Sequence, residues 1–320
     1  MSLEQILSST KRALVLGIGG GGDVVGALAA ARLCQSFGAE FRLGGIAWER
    51  FPIDPYPGPR SIDQIVGGKP LGPAAVLADE NTTTPEGVPF AESRMAAFIC
   101  SDTLLLDIGG GPAAVAEAIA GAAAKLDCDL CLLVDVGGDV LAHGDEAGLE
   151  SPLCDAVMLA AGAKLSREMA TVAAVYGAGC DGELTPAEVL DRIAELGRAS
   201  ALLGAWGLTP AVAAQLEAAA AAVPTEASLM GVRCARGETG RVEIRGGRRT
   251  VELTPIGGLT FFFDPLIAFE RTAPLARAVA GAESLDAAQS ALAAAGVRTE
   301  LDLERERAAK ATGAAPSDSS

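Results

Sequence analysis

The residues best suited to chemistry in this sequence are carboxylates set beside glycines. The segment VDVGGDVLAHGDEAGLESPLCDA places Asp135, Asp139, Asp145, Glu146, Glu150 and Asp155 within twenty-one residues. Asp135 and Asp139 bracket the pair Gly137 and Gly138, a turn at which two carboxylates can face one hard cation such as Mg2+. Asp23, which follows the run Gly19, Gly20, Gly21 and Gly22, is a third candidate metal ligand. Further along, GCDGEL carries Asp181 and Glu183, the candidate catalytic pair, either of which suits a general base.

The glycine run has its own chemistry. Gly17-Ile-Gly19-Gly-Gly-Gly22 satisfies G-x-G-x-x-G between a predicted strand and a predicted helix, where backbone amides turn toward a phosphate at the positive helix end. The full dinucleotide fingerprint also requires an acid about 20 residues on, at the end of the second strand. Glu40 comes before that strand and Glu49 follows Gly22 by 27 positions, so the fingerprint is incomplete. Asp23 would repel a pyrophosphate unless a cation lay between them. An anion site, a nicotinamide site and a purely structural turn all stay open at this loop. Gly137 and Gly138 are candidate phosphate-binding glycines of the same kind. The DIGGG and DVGG segments bring the phosphate motifs of actin-like kinases to mind, but those open a hairpin, whereas DIGGG runs into an alanine-rich helix.

Cations for an anionic ligand must come from Arg50 and Arg60 in a proline-rich stretch, or from Arg233, Arg245 and Arg248 further on. Arg60, in DPYPGPR, is the favoured ligand-binding arginine: prolines stiffen its approach, and a guanidinium holds phosphate or carboxylate bidentately. Thr225 and Glu226 in PTEAS suit a polar pocket wall or a helix cap. Ser151 before Pro152 suits a cap, with Asp155 favoured by the helix dipole. His143 is the only histidine, so zinc or another transition metal lacks its usual partners. It reads as a solvated loop residue or, alternatively, a general base. Cys128 and Cys131 match C-x-x-C, but positions three apart on a strand face opposite ways, so core packing is expected.

The elements that must position these groups follow from periodicity. Short apolar runs, each followed by glycine and an acid and then an alanine-rich helix, recur along the chain. Runs apolar on both faces suit parallel strands covered by helices. Strands are expected at about 13–18, 41–48, 103–108, 130–136 and 171–176, with helices at about 24–37, 113–125 and 209–222 and another starting after Thr185. The fold class is therefore α/β: a Rossmann-like, doubly wound, mostly parallel sheet with a C-terminal antiparallel β addition. Ligands of such sheets sit beyond the strands' carboxyl ends. One α/β domain is expected over 1–300, with a proline-rich lid at about 49–98 and a β-meander at about 229–264. The last stretch, 301–320, charged and then rich in Ala and Ser, is expected to be a frayed helix and a disordered tail.

Composition excludes several classes. With 50% hydrophobic residues the chain can build a core, which separates it from disordered sequences. Its 25 basic against 41 acidic side chains give a formal charge of −16, which opposes binding to nucleic acid or to anionic membrane. The first apolar run follows Lys11 and Arg12 and dissolves into glycine, which is neither a signal peptide nor a spanning helix, so a cytoplasmic location is expected. Seven scattered cysteines do not form a secreted framework. Only 4% of residues are aromatic, so ligand recognition must lean on amides, carboxylates and arginines; no haem is expected.

Taken together, GIGGGGDVVGA, ERFPIDPYPGPR, DVGGDVLAHGDEAGLESPLCDA, GAGCDGEL and PTEAS resemble the archaeal and bacterial family known as domain of unknown function 1152, over about 11–281. The resemblance implies a Rossmann-related α/β fold and carries no activity with it. The residues themselves imply a small-molecule metabolic enzyme for a phosphorylated or nucleotide-like anion, Mg2+-assisted, with phosphoryl or nucleotidyl transfer or hydrolysis favoured. The alternatives are an NAD(P)-dependent oxidoreductase and a non-catalytic metabolite sensor. A homo-oligomer is compatible with either.

Overall fold

The apolar runs become a nine-stranded sheet in the computed structural model, which describes residues 1–311. In chain order the strands are β1 (Arg12–Gly17), β2 (Glu40–Ile46), β3 (Lys69–Gly72), β4 (Ala75–Ala78), β5 (Thr103–Leu106), β6 (Leu130–Val136), β7 (Ala170–Tyr176), β8 (Leu202–Gly207), β9 (Gly240–Ile244), β10 (Arg249–Leu253) and β11 (Leu259–Phe263). Their spatial order is β3-β4-β5-β2-β1-β6-β7-β11-β8, while β9 and β10 form a separate two-stranded antiparallel sheet. The central five, β5-β2-β1-β6-β7, run parallel. Antiparallel strands extend both flanks.

Side-chain alternation explains why helices cover both faces. Along β6, Leu130, Leu132 and Val134 join the core on one face, against helix Asp23–Ser36 and helix Pro210–Ala222. Cys131 and Leu133 join the core on the other face, against helices Gly111–Lys125 and Pro152–Leu165. A fully buried aliphatic side chain contributes about 1.5–3 kcal/mol, and only a strand apolar on both faces can supply two such cores at once. Cys128 and Cys131 are buried free thiols packed in the core, as expected, but not on opposite faces of a strand: Cys128 precedes β6 and both join the same core.

Chain direction fixes where a ligand can sit. From β1 the chain proceeds outward through β2 toward β5, and the later strands β6 and β7 lie on the opposite side of β1. The order reverses between β1 and β6, and their carboxyl ends splay apart at that point. The glycine run after β1 and the diglycine turn after β6 therefore flank one crevice.

Three stretches differ from the sequence-based expectation. The proline-rich 49–98 segment is not a structureless lid: it supplies β3 and β4 and enters helix Ala91–Ile99. Its short strands fall below the length at which periodicity is readable. Within the expected meander, 229–235 belongs to helix Ala227–Ala235; only β9, β10 and β11 are strands, and β11 joins the main sheet. The helix expected to fray at the start of the tail is instead packed on the fold: helix Glu300–Ala311 buries Glu300, Leu301 and Glu304. The rest of the tail, 312–320, lies outside the described residues. No helix among the described residues is long and apolar enough to cross a membrane.

Candidate functional site

A cavity of about 650 Å3 opens at the β1/β6 crevice. Its floor is the glycine run, its acidic wall comes from the loops after β6 and β7, and its cover comes from the 50–53 segment, the β9–β10 turn and helix Glu300–Ala311.

The glycine run is folded around Asp23. The Gly19 amide donates to Asp23 Oδ2 at 2.9 Å, the Gly21 amide donates to the Trp48 carbonyl at 2.9 Å, and Arg50 donates to the Gly19 carbonyl. Burial pushes the Asp23 carboxyl up to about 7, against the pull of the Gly19 amide and Arg50. Gly19, Gly20, Gly21 and Gly22 all line the cavity. Among the described residues the amides of Gly20 and Gly22 donate to no protein acceptor, so these two are the ones free to bind an anion. The amides of Gly19 and Gly21 are already taken within the protein, which corrects their place as phosphate donors. Asp23 belongs to neither cluster of carboxylates close enough to hold a metal together, and closing the glycine loop replaces its expected role as a metal ligand.

The acidic wall is denser than the sequence suggests. Asp135, Asp139 and Asp155 each offer an oxygen, all within 4.8 Å of one another, and Asp139, Asp181 and Glu183 do the same. All five side chains are buried. Burial, then repulsion between neighbouring acids, pushes the carboxyls of Asp135, Asp139 and Asp155 well above the ordinary range. Asp135 Oδ2 and Asp155 Oδ1 are buried and accept no hydrogen bond. Asp155 is the residue that sequence reading set aside as a dipole-favoured helix acid. Its signal was its place in the opening turn of the Pro152 helix, directly beyond the acidic loop. The helix N-terminus itself is capped from elsewhere: Glu300 accepts from the amides of Leu153 at 3.0 Å and Cys154 at 2.9 Å. The Ser151 hydroxyl donates to Glu183 rather than capping its helix.

Asp181 and Glu183 are held in opposite ways. Burial would raise Glu183, but Arg249, the Ser151 hydroxyl and the amides of Glu150 and Ser151 hold it below the ordinary range. Its Oε2 accepts from those amides at 2.7 and 2.8 Å, and its Oε1 accepts from Arg249 at 2.8 Å. With both oxygens engaged, Glu183 anchors Arg249, and its expected role as a base passes to Asp181. Asp181 accepts the Glu183 amide at 3.2 Å and lies 3.8 Å from Arg249. Burial, then Glu183, pushes its carboxyl up to about 7.

Gly137 and Gly138 do not line the cavity. The Gly137 amide donates to the Tyr176 carbonyl at 3.0 Å, and its carbonyl accepts from Gly179 at 2.7 Å. Both residues have φ near the mirror-image region, +131° and +120°, which only glycine adopts without strain. They shape the turn that presents Asp139 and stand outside the cavity where an anion was expected.

Arg60 also moves out of the site. It is 2% exposed, donates to Asp54 at 2.7 and 2.8 Å and to Glu86 at 2.7 Å, and stacks over Tyr56. Because its donors are spent inside the proline-rich segment, it braces that segment. The cations that do line the cavity are Arg50, Arg245, Arg248, Arg249 and Arg307. Arg50 packs over the Trp48 ring and lies 3.8 Å from Glu300. Arg245 sits on the β9–β10 turn, whose position is fixed by its own amide donating to Glu226 at 2.7 Å. Among the described residues its guanidinium makes no hydrogen bond or ion pair. Burial and the nearby Arg249 lower its proton affinity, against Asp181 and Glu183. Thr225 and Glu226 form part of the wall, as the sequence allowed. His143 lies elsewhere, its ring 3.0 Å from Glu195 and 3.2 Å from the Thr272 carbonyl. Arg233 pairs with Glu238.

The arrangement can hold an anionic group between arginines and free amides while presenting a compact set of oxygen ligands beneath it. No curated protein and no solved structure matches the chain. The model of the family described as "Protein of unknown function (DUF1152)" matches residues 14–308, nearly the whole chain, and the chain belongs to that family.

Proposed function

We propose that this protein is a cytoplasmic small-molecule enzyme that binds a phosphorylated or nucleotide-like anion in the crevice between β1 and β6, assisted by a divalent cation such as Mg2+. One observation carries the reading: buried carboxylates from the sheet loops and arginines from the covering segments face each other across a single cavity. A phosphate reconciles the two walls, accepting from arginines and amides on one side and bridging through a cation to the acids on the other. Asp181 lines that cavity with its carboxylate only partly engaged, which suits it to take a proton from an attacking hydroxyl or water. Phosphoryl or nucleotidyl transfer, or hydrolysis, is the reaction class that uses all three features. The rival reading as an NAD(P)-dependent oxidoreductase lacks its acid at the end of β2, because Glu49 directs a carboxylate oxygen to the Ala91 amide at 2.5 Å. A non-catalytic sensor would use the same cavity without needing Asp181.

Titration calorimetry against nucleoside phosphates, sugar phosphates, NAD(P) and inorganic phosphate, each with and without Mg2+, tests the reading. The expected result is binding of a phosphorylated ligand that strengthens with Mg2+ and weakens at least tenfold in Arg245→Ala. Tight binding of NAD(P) independent of both metal and Arg245, or no binding of any anion, overturns it. Turnover of the ligand that is lost in Asp181→Asn, with affinity kept, separates the enzyme from the sensor.

A further inference from the structure

We infer that Asp135, Asp139 and Asp155 form a site for one hard divalent cation, and that Arg249 occupies the place a second cation would take. This rests on the same cavity as the ligand reading and adds the ligand set and number of its metal.

The two carboxylate clusters share Asp139, so the geometry alone would accommodate two ions. The hydrogen bonding distinguishes them. In the first cluster, Asp135 is 1% exposed and Asp155 is 2% exposed, and each has an oxygen with no donor. A buried carboxylate oxygen without a partner is costly in either protonation state, since the ionised form lacks a countercharge and the neutral form lacks solvation. A cation among the three oxygens removes that cost. In the second cluster the place is filled: both Glu183 oxygens are engaged, and the Arg249 guanidinium lies 2.8 Å from Glu183 and 3.8 Å from Asp181. A metal there would have to displace a charge-assisted pair and two amide donors.

The donor set also selects the ion. It is all carboxylate oxygen, the preference of Mg2+, Mn2+ and Ca2+, and no histidine or thiolate joins it. The neighbouring Cys154 donates its thiol to the Ile18 carbonyl at 3.0 Å and belongs to neither cluster. Three carboxylates leave coordination positions for water and a ligand oxygen, the usual state of a catalytic Mg2+. Asp139 and Asp155 also line the cavity, so the cation would meet a substrate on that side. Asp155 comes from a different element, helix Pro152–Leu165, and brings the third oxygen that neither strand end supplies.

Mn2+ titration of the ligand-free protein, followed by electron paramagnetic resonance, tests this without any substrate. The expected result is one Mn2+ bound per chain with no spin coupling, competed by Mg2+. Affinity should fall at least tenfold in Asp155→Asn and in Asp135→Asn. Two coupled Mn2+ per chain overturn the single-ion assignment. No binding at millimolar Mn2+, or unchanged affinity in folded Asp155→Asn protein, overturns the site. The wild-type stoichiometry decides the matter even if a variant fails to fold. If Mn2+ binds while no phosphorylated ligand does, the ligand reading fails and the metal site stands; the reverse outcome separates them in the other direction.

Discussion

Replacing Glu49 with Gln tests whether a buried carboxyl beside the site keeps its proton near neutrality. Glu49 is 4% exposed, and its Oε1 accepts the amide of Ala91, the first residue of helix Ala91–Ile99, at 2.5 Å. Burial pushes its carboxyl from 4.5 up to about 7, only partly opposed by the Ala91 amide and Arg94. Between those two values the unfolded chain has released the proton that the folded chain still holds. The stabilisation this proton provides is therefore complete below pH 4.5 and is lost as pH rises through 7. At about 1.4 kcal/mol per pH unit, ionised Glu49 costs the fold at most about 3 kcal/mol at pH 8. Glutamine keeps an oxygen for the Ala91 amide and never ionises. Urea denaturation at pH 4.5 and pH 8, read as the difference between variant and wild type at each, cancels the contributions of the other buried acids. The variant should match the wild type at pH 4.5 and exceed it at pH 8 by up to about 3 kcal/mol. A variant that gains nothing at pH 8 would refute the reasoning, because the carboxylate would then be ionised in the fold at no cost.

Other substitutions separate bracing from binding. Arg60→Ala removes the guanidinium from Asp54, which is 2% exposed, and should cost about 3–5 kcal/mol in denaturant unfolding while leaving anion affinity within threefold. Gly22→Ala places a methyl 2.3 Å from Thr225 Cβ, so the glycine loop and the 224–227 wall must part. Calorimetry should show anion affinity down at least tenfold, for a stability loss of about 1–3 kcal/mol. Glu304→Ala leaves the Trp48 indole N–H and the Gly58 amide without their acceptor, which is 3.0 and 2.8 Å away in the native protein. It should lower stability by about 2–5 kcal/mol and alter Trp48 fluorescence. Arg249→Met leaves Glu183 buried and uncompensated; a loss of about 3–5 kcal/mol is expected by the same denaturation assay.

What was legible in the sequence depended on whether the signal was local. The parallel strands were legible because burial on both faces forces continuous apolar runs, as in LCLLVDV. Strand β8, LLGAWG, was missed because it is an exposed edge strand with two glycines, so burial did not pattern it. The glycine loop and the acidic strand ends were legible for the same local reason. Which carboxylates converge was not, since the contact of Asp155 with Asp135 and Asp139 depends on how helix Pro152–Leu165 is set against β6. Arg60 shows the converse failure. Its prolines did stiffen its approach, but toward Asp54, six residues away in the same segment and equally able to take a bidentate guanidinium. A nearby carboxylate wins over a distant ligand because little chain entropy is spent closing so short a loop.

The division between sheet and cover explains how one cavity can hold opposite charges with only some of them joined in internal ion pairs. The acids stand on strand ends and a buried helix, elements that cannot shift without breaking the main core. The arginines arrive on segments outside that core: Arg50 after β2, Arg245 and Arg249 on the β9–β10 hairpin, Arg307 on the last helix. Within the hairpin the roles divide. Arg249 is committed, tying the hairpin to Glu150 and Glu183 at 2.5 and 2.8 Å. That anchoring holds Arg245, four residues earlier, over the acids near enough to feel them but bonded to none. An arginine that paired with Asp139 or Asp155 would neutralise the cluster and remove its need for a cation. Holding Arg245 back by a rigid turn leaves its guanidinium and the Asp135, Asp139 and Asp155 cluster unpaired with each other, the charge arrangement that the proposed metal-bound anion would bridge.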